Sequence, residues 1–172
     1  MMDPVTAVKT CFRKFFDFKG RARRSEYWWF VLFVIVVSSI FNYGGLLFPV
    51  LTFVGILCSL VLTIPQFAAM TRRLHDTGRS GWWVLMIVIL YVVVLGSLCV
   101  VLAPIMSQML QETDTYAQVD MMTSAIQASP MAATLMMFGS LATSLLGIIV
   151  LIFTLLDSKW GENKYGPSPK YR

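Results

Sequence analysis

The residues of this chain that could do chemistry are few. His75 is the lone histidine among 172 residues, and it stands beside Asp76 in the stretch RRLHDTGRSGWW. An imidazole next to a carboxylate is the raw material of an acid/base unit. Adjacent positions on a helix point in different directions, however, so the pair lacks the shared face that a catalytic dyad or a two-ligand metal site needs. Cys11, Cys58 and Cys99 are widely spaced, the last two inside apolar runs, which makes neither a metal-ligand spacing nor a disulfide framework. The residues therefore point to no catalytic, metal-binding or cofactor-binding group.

Arginine offers a different chemistry. Arg72, Arg73 and Arg79 bring planar guanidinium donors that match carboxylates and phosphates. With Glu26 and Asp157 at the ends of other apolar runs, they predict a network of charge pairs that holds helix ends together. Phosphate binding through the same donors is the competing use. Arg21, Arg23 and Arg24, in FDFKGRARRSEYWWF, and Asn163 and Tyr165, in GENKYGPSP, belong to the same group by position. Gly161, Gly166, Pro167 and Pro169 disfavour a continued helix. The chain after the last apolar run should fold back in turns, with Asn163 and Tyr165 bonding across the helix ends.

The elements that position these residues are membrane spans. Hydrophobic residues make up 57% of the chain and charged ones 13%, far from an ordinary soluble composition. Four apolar runs, at about 27–43, 46–69, 82–103 and 131–156, are each near the length needed to cross a bilayer. The expected fold class is an all-α membrane protein, a single four-span domain. Before the first span, Asp3 and Pro4 signal a helix start. Val5, Val8, Phe12, Phe15 and Phe16 then recur at helical spacing, which gives an amphipathic helix over about 4–16. Such a helix suits the headgroup region or the protein's own inner face. No small-residue cleavage pattern follows the first apolar run, so that span is expected to stay in the protein.

Turn residues divide the spans. Asn42, Gly44 and Gly45 predict a turn between the first two, and Pro65 a kink in the second. Gly78 can stop that helix and Ser80 can cap the next. The connection over about 104–130 carries Glu112, Asp114 and Asp120. Its partial helical periodicity fits a surface helix, an extension of the third span or a loop.

All fourteen lysines and arginines fall in three segments: before the first span, between the second and third, and after the fourth. Cytoplasmic connections retain such residues, so both termini and the middle connection are expected in the cytoplasm. Because the net charge of +5 flanks apolar spans, anionic lipid headgroups are a better counter-charge than nucleic acid. Two spans also carry small residues four apart, Gly55, Ser59 and Thr63 in the second and Gly139, Thr143 and Gly147 in the fourth. Such stripes let helices approach closely, within the chain or in a homo-oligomer. No Asp, Glu, Lys, Arg or His lies in the interior of any span, which disfavours a coupled pump.

Taken together, FDFKGRARRSEYWW, RRLHDTGRSGWW and GENKYGPSP resemble the bacterial inner-membrane proteins of the domain-of-unknown-function 805 family. The resemblance runs from about Phe12 to Pro169. The connection over 106–130 looks like an elaboration of a usually shorter link. What the resemblance implies is a small multi-span protein of the bacterial cytoplasmic membrane, with no established activity, cofactor or catalytic residue. The leading expectation is a non-enzymatic protein whose basic face binds a protein partner or anionic lipid. A small-solute or lipid transporter or channel, and an interfacial enzyme using His75 and Asp76, are the alternatives.

Overall fold

Asp3 accepts the Thr6 N–H through its side chain at 2.9 Å, and Pro4 takes the first helical position. The chain accordingly begins with α1, Pro4–Arg13. The computed structural model describes residues 2–109, 123, 124, 127 and 129–170. Among the described residues, the long helices that follow are α2 (Arg24–Leu47), α3 (Pro49–Asp76), α4 (Trp82–Met109) and α5 (Pro130–Leu155).

Each of these four has an apolar stretch long and hydrophobic enough to cross a membrane. At 24, 28, 28 and 26 residues and about 1.5 Å per residue, all exceed the roughly 30 Å of a hydrocarbon core. Their surfaces agree with that role. Phe53 and Leu57 are 75% and 63% exposed, whereas Arg72, Arg73 and Asp76 are fully buried. A water-soluble fold would reverse that order.

The turn expected over 42–45 is instead helical. α2 runs through Gly44 and Gly45 to Leu47, and the chain breaks at Phe48 (φ −134°, ψ 103°). Pro49 is the cause, because the residue before a proline is driven out of the helical region. Gly45 serves packing: a Cβ there would collide with the Thr52 hydroxyl and lie 3.4 Å from the Thr52 backbone nitrogen, so the start of α3 would have to shift, whereas one on Gly44 would meet only the tip of the Leu51 side chain. α3 continues past Pro65 to Asp76 as one helix. α4 likewise passes Pro104 and reaches Met109, so the third apolar helix extends into the segment read as a connection. The rest of that connection, with Glu112, Asp114 and Asp120, lies outside the described residues.

The chain divides into two compact units, Met1–Val84 with Val150–Arg172, and Leu85–Ile149. In the first, α2 and α3 form an antiparallel hairpin and α1 packs on α2. Cys11, Tyr27, Phe30, Leu62 and Ala69 are its apolar core. In the second, α5 approaches α4 at Gly139, where a Cβ would meet Val94 Cγ2 at 2.9 Å.

Candidate functional site

The site is built on the way α3 ends. Thr77 caps the helix, Gly78 takes the left-handed conformation (φ +79°), its N–H reaches the His75 carbonyl at 3.0 Å, and the Arg79 N–H reaches that of Leu74 at 2.9 Å. This pair of bonds is the Schellman motif, which needs a residue tolerant of positive φ at the glycine position. Ser80 then accepts the Trp82 N–H at 3.3 Å, and α4 begins. Gly20, Gly161 and Gly166 also have positive φ, and turn the flanking segments toward the end of α3.

Asp76, the last residue of α3, is the centre of the charge network. It accepts Arg21 Nε at 2.9 Å, a guanidinium nitrogen of Arg73 and the Ser158 hydroxyl. Glu26 makes a second buried pair, with Arg72 at 3.1 Å. Most of the remaining guanidinium donors go to backbone carbonyls, while Arg72 Nε is buried without a partner among the described residues and Arg73 also donates to the Ser158 hydroxyl at 3.3 Å. Arg21 bonds those of Asp76, Lys159, Gly161 and Gly166 at 2.7 to 3.3 Å. Arg72 bonds those of Lys14 and Asp17, and Arg73 those of Thr154 and Leu156. Many of these are the open carbonyls at helix C-termini, which carry partial negative charge.

His75 faces elsewhere. Its ring stacks on Tyr165 with centroids 3.7 Å apart and 6° between the planes, and Nδ1 lies 3.2 Å from the Gly20 carbonyl. Asn163 donates to the His75 carbonyl at 3.0 Å and pairs with Gly166 across a tight turn. The C-terminal segment thus folds back on α3 through Asn163 and Tyr165. His75 and Asp76, neighbours in sequence, share no partner.

Arg79 lies with its guanidinium 3.7 Å from the centre of the Phe153 ring, and takes no part in the buried ion pairs. Asp157 pairs with Lys170 at 2.6 Å on the surface instead of with Arg72, Arg73 or Arg79. The ammonium of Lys170 holds its carboxyl below the usual range. The acceptor that sequence reasoning missed is Asp76, whose neighbour His75 drew attention to acid/base chemistry; the Arg73 to Asp76 spacing was the available signal, since i, i+3 pairs meet on a helix. Arg23 donates to the Pro169 carbonyl at 2.5 Å. Arg24 is exposed and makes no hydrogen bond or ion pair with the described residues.

Cys11 is buried against this network, and burial pushes its thiol up to about 12. Of the small-residue stripes, Gly55 sits against Phe41 of α2, where a Cβ would be 2.7 Å away, and Ser59 and Thr63 return their hydroxyls to carbonyls of their own helix. Thr143 does the same, and nothing described lies within 4 Å of a Cβ on Gly147. Among the described residues, no three His, Cys, Asp or Glu side chains gather to hold a metal.

Four apolar helices with arginines buried where helix ends meet define a multi-span membrane protein. The chain belongs to the family described as "Protein of unknown function (DUF805)", whose pattern matches residues 15–167. It is 41% identical to Inner membrane protein YhaI of Escherichia coli K12 over 75 residues, 43% of this chain and 64% of that protein. Inner membrane protein YhaH of the same organism is 38% identical over 88 residues, 46% of this chain and 70% of that one. Uncharacterized protein YiiR is 32% identical over 84 residues, 48% of this chain and 56% of that one. The aligned part is a smaller share of this chain than of any of the three, so each is the shorter protein. No solved structure matches the chain.

Proposed function

We propose that this integral membrane protein is non-enzymatic, with both termini and the α3–α4 connection cytoplasmic, and that its basic face engages anionic phospholipid. The observation that carries this reading is the division of labour among the cations. Arg21, Arg72 and Arg73 are buried and internally engaged, whereas Lys9, Arg13, Arg24 and Lys164 remain exposed. Each exposed cation near an anionic leaflet is worth about 1 kcal/mol. Because all fourteen lysines and arginines lie on three connected segments, retention of positive charge supports the cytoplasmic orientation. α1 turns Ala7 and Cys11 inward and leaves Val5 exposed near Lys9, and Phe16 is exposed just past its end, an arrangement that suits headgroup depth.

A photo-reactive residue at Ser80, activated in living cells, tests the reading. Anionic lipid adducts are expected. Capture of a protein with no lipid adduct would replace the lipid by a protein partner, and capture of neither would remove the binding role.

A further inference from the structure

Beside the buried network, one cleft of about 630 Å³ opens between the start of α2 and the segment after α5. Arg23, Arg24, Ser25 and Trp28 form one wall, and Asp157 and Lys170 stand opposite with Ser158. Its charges are three cations and one carboxylate, and that carboxylate is already held by Lys170 at 2.6 Å. Arg24 is exposed and makes no hydrogen bond or ion pair with the described residues, although its charge, with that of Lys170, acts on Asp157. No side chain caps α2, whose N-cap residue is Arg23, so the first-turn N–H groups lack a side-chain acceptor. The indole N–H of Trp28, on the same wall, is buried and also lacks an acceptor. A buried donor left open, as the Trp28 indole N–H is, commonly answers to a water or an ion.

We propose that this cleft binds a phosphate oxyanion, carried by a lipid headgroup or free in solution, with Arg24 as its principal ligand and Arg23 and Lys170 as flanking charge. A tetrahedral anion suits the arrangement on three counts. Guanidinium groups bind phosphate oxygens through paired N–H donors. An uncapped helix start adds N–H groups and a positive dipole end. Asp157, neutralised by Lys170, does not oppose the anion as an isolated carboxylate would. The proposal rests on the anionic-lipid reading and narrows it to one phosphate at one place.

The test uses the full chain in phosphatidylcholine nanodiscs, titrated calorimetrically with inorganic phosphate. It also uses discs of phosphatidylcholine and phosphatidylglycerol, from which retained lipid is weighed by native mass spectrometry. Arg24→Gln is expected to weaken binding about tenfold, the loss of one charge-assisted contact, and Asn42→Ala, near the other end of α2, to leave it unchanged. If phosphatidylglycerol is retained through Arg24 and blocks phosphate, the source is the headgroup. If phosphate binds equally in both discs and depends on Arg24, the source is soluble, so the cleft stands and the lipid reading falls. Equal behaviour of wild type, Arg24→Gln and Asn42→Ala in both measurements overturns the cleft. Retention of phosphatidylglycerol over phosphatidylcholine in that case would leave the broader lipid reading standing.

Discussion

Replacing Asp76 by asparagine should destabilise the protein more than any exposed charge change. The side chain keeps its shape and some hydrogen-bonding capacity, but Arg21 and Arg73, 1% and 0% exposed in their side chains, lose the carboxylate they share. Breaking a buried pair by removing one partner costs about 3–5 kcal/mol, because a charge is left in a poorly solvating place. Both arginines retain backbone carbonyls, which argues for the lower end, near 3 kcal/mol. Against a total of about 5–15 kcal/mol, that is a large fraction. For a chain of this size it corresponds to a melting temperature lower by roughly 6–12 °C.

Thermal unfolding of the purified protein in detergent micelles, followed by tryptophan fluorescence, reads this directly. Lys170→Gln breaks the exposed pair with Asp157 and is the control, expected to melt with wild type. The double variant Asp76→Asn with Arg21→Gln should lose less than the sum of the single losses, since it removes both partners of one pair. An Asp76→Asn protein that melts within a degree of wild type would refute the claim that this carboxylate holds the helix ends together.

Gly78→Ala should cost about 1–2 kcal/mol, the penalty of a left-handed Cβ; its Cβ would also press on the flexible Lys159 side chain, and the same melting measurement checks it. Tyr165→Ala removes the stack on His75 and should speed proteolysis at the C-terminal segment, whereas Tyr165→Phe keeps the stack and should match wild type in a timed digest. The Cys11 thiol is raised from 9.0 to about 12 by burial. Its neutral form therefore contributes stability that is full below about pH 9 and lost as pH rises toward about 12. With Cys58 and Cys99 replaced by serine, Cys11 should resist iodoacetamide at pH 8 in micelles and react fast once unfolded in dodecyl sulfate; equal rates would contradict its burial.

The apolar helices were legible because transfer of side chains into hydrocarbon is a local property that sums along a run such as Val84 to Val101. Gly78 was legible for a similar reason, since a glycine between His75 and a renewed Trp-Trp start is itself a stop signal. The partners of the arginines were not. Arg72 meets Glu26 across 46 positions and Arg21 meets Asp76 across 55, and each distance depends on how α2 and α3 lie together. Most of their acceptors are backbone carbonyls, which every residue possesses and no residue type announces. Of the two carboxylates expected near Arg72, Arg73 and Arg79, Glu26 pairs with Arg72, whereas Asp157 makes no ion pair with any of the three. Arg73 bonds the carbonyls of Thr154 and Leu156 on either side of the helix end, while the Asp157 side chain turns out to Lys170.

The backbone bonds also explain why arginine stands at these positions. α1, α3 and α5 all end in the unit that holds both chain termini, and each end leaves carbonyls without intrahelical donors. Where those ends are packed away from water, the carbonyls need donors from elsewhere, and a cation also offsets their combined partial charge. Arg21 places Nε on the Asp76 carboxylate and its two terminal nitrogens on four carbonyls, which uses all five of its N–H groups. Lysine has three donors on one atom and could not span those acceptors. The buried arginines thus act as C-terminal caps supplied by other segments: Arg72 of α3 for α1, Arg21 from ahead of α2 for α3, and Arg73 of α3 for α5. One consequence separates this account from simple charge pairing. Arg21→Lys would keep the charge beside Asp76 yet lose most of the carbonyl bonds, so it should destabilise nearly as much as Arg21→Gln, whereas pure ion pairing would leave it close to wild type.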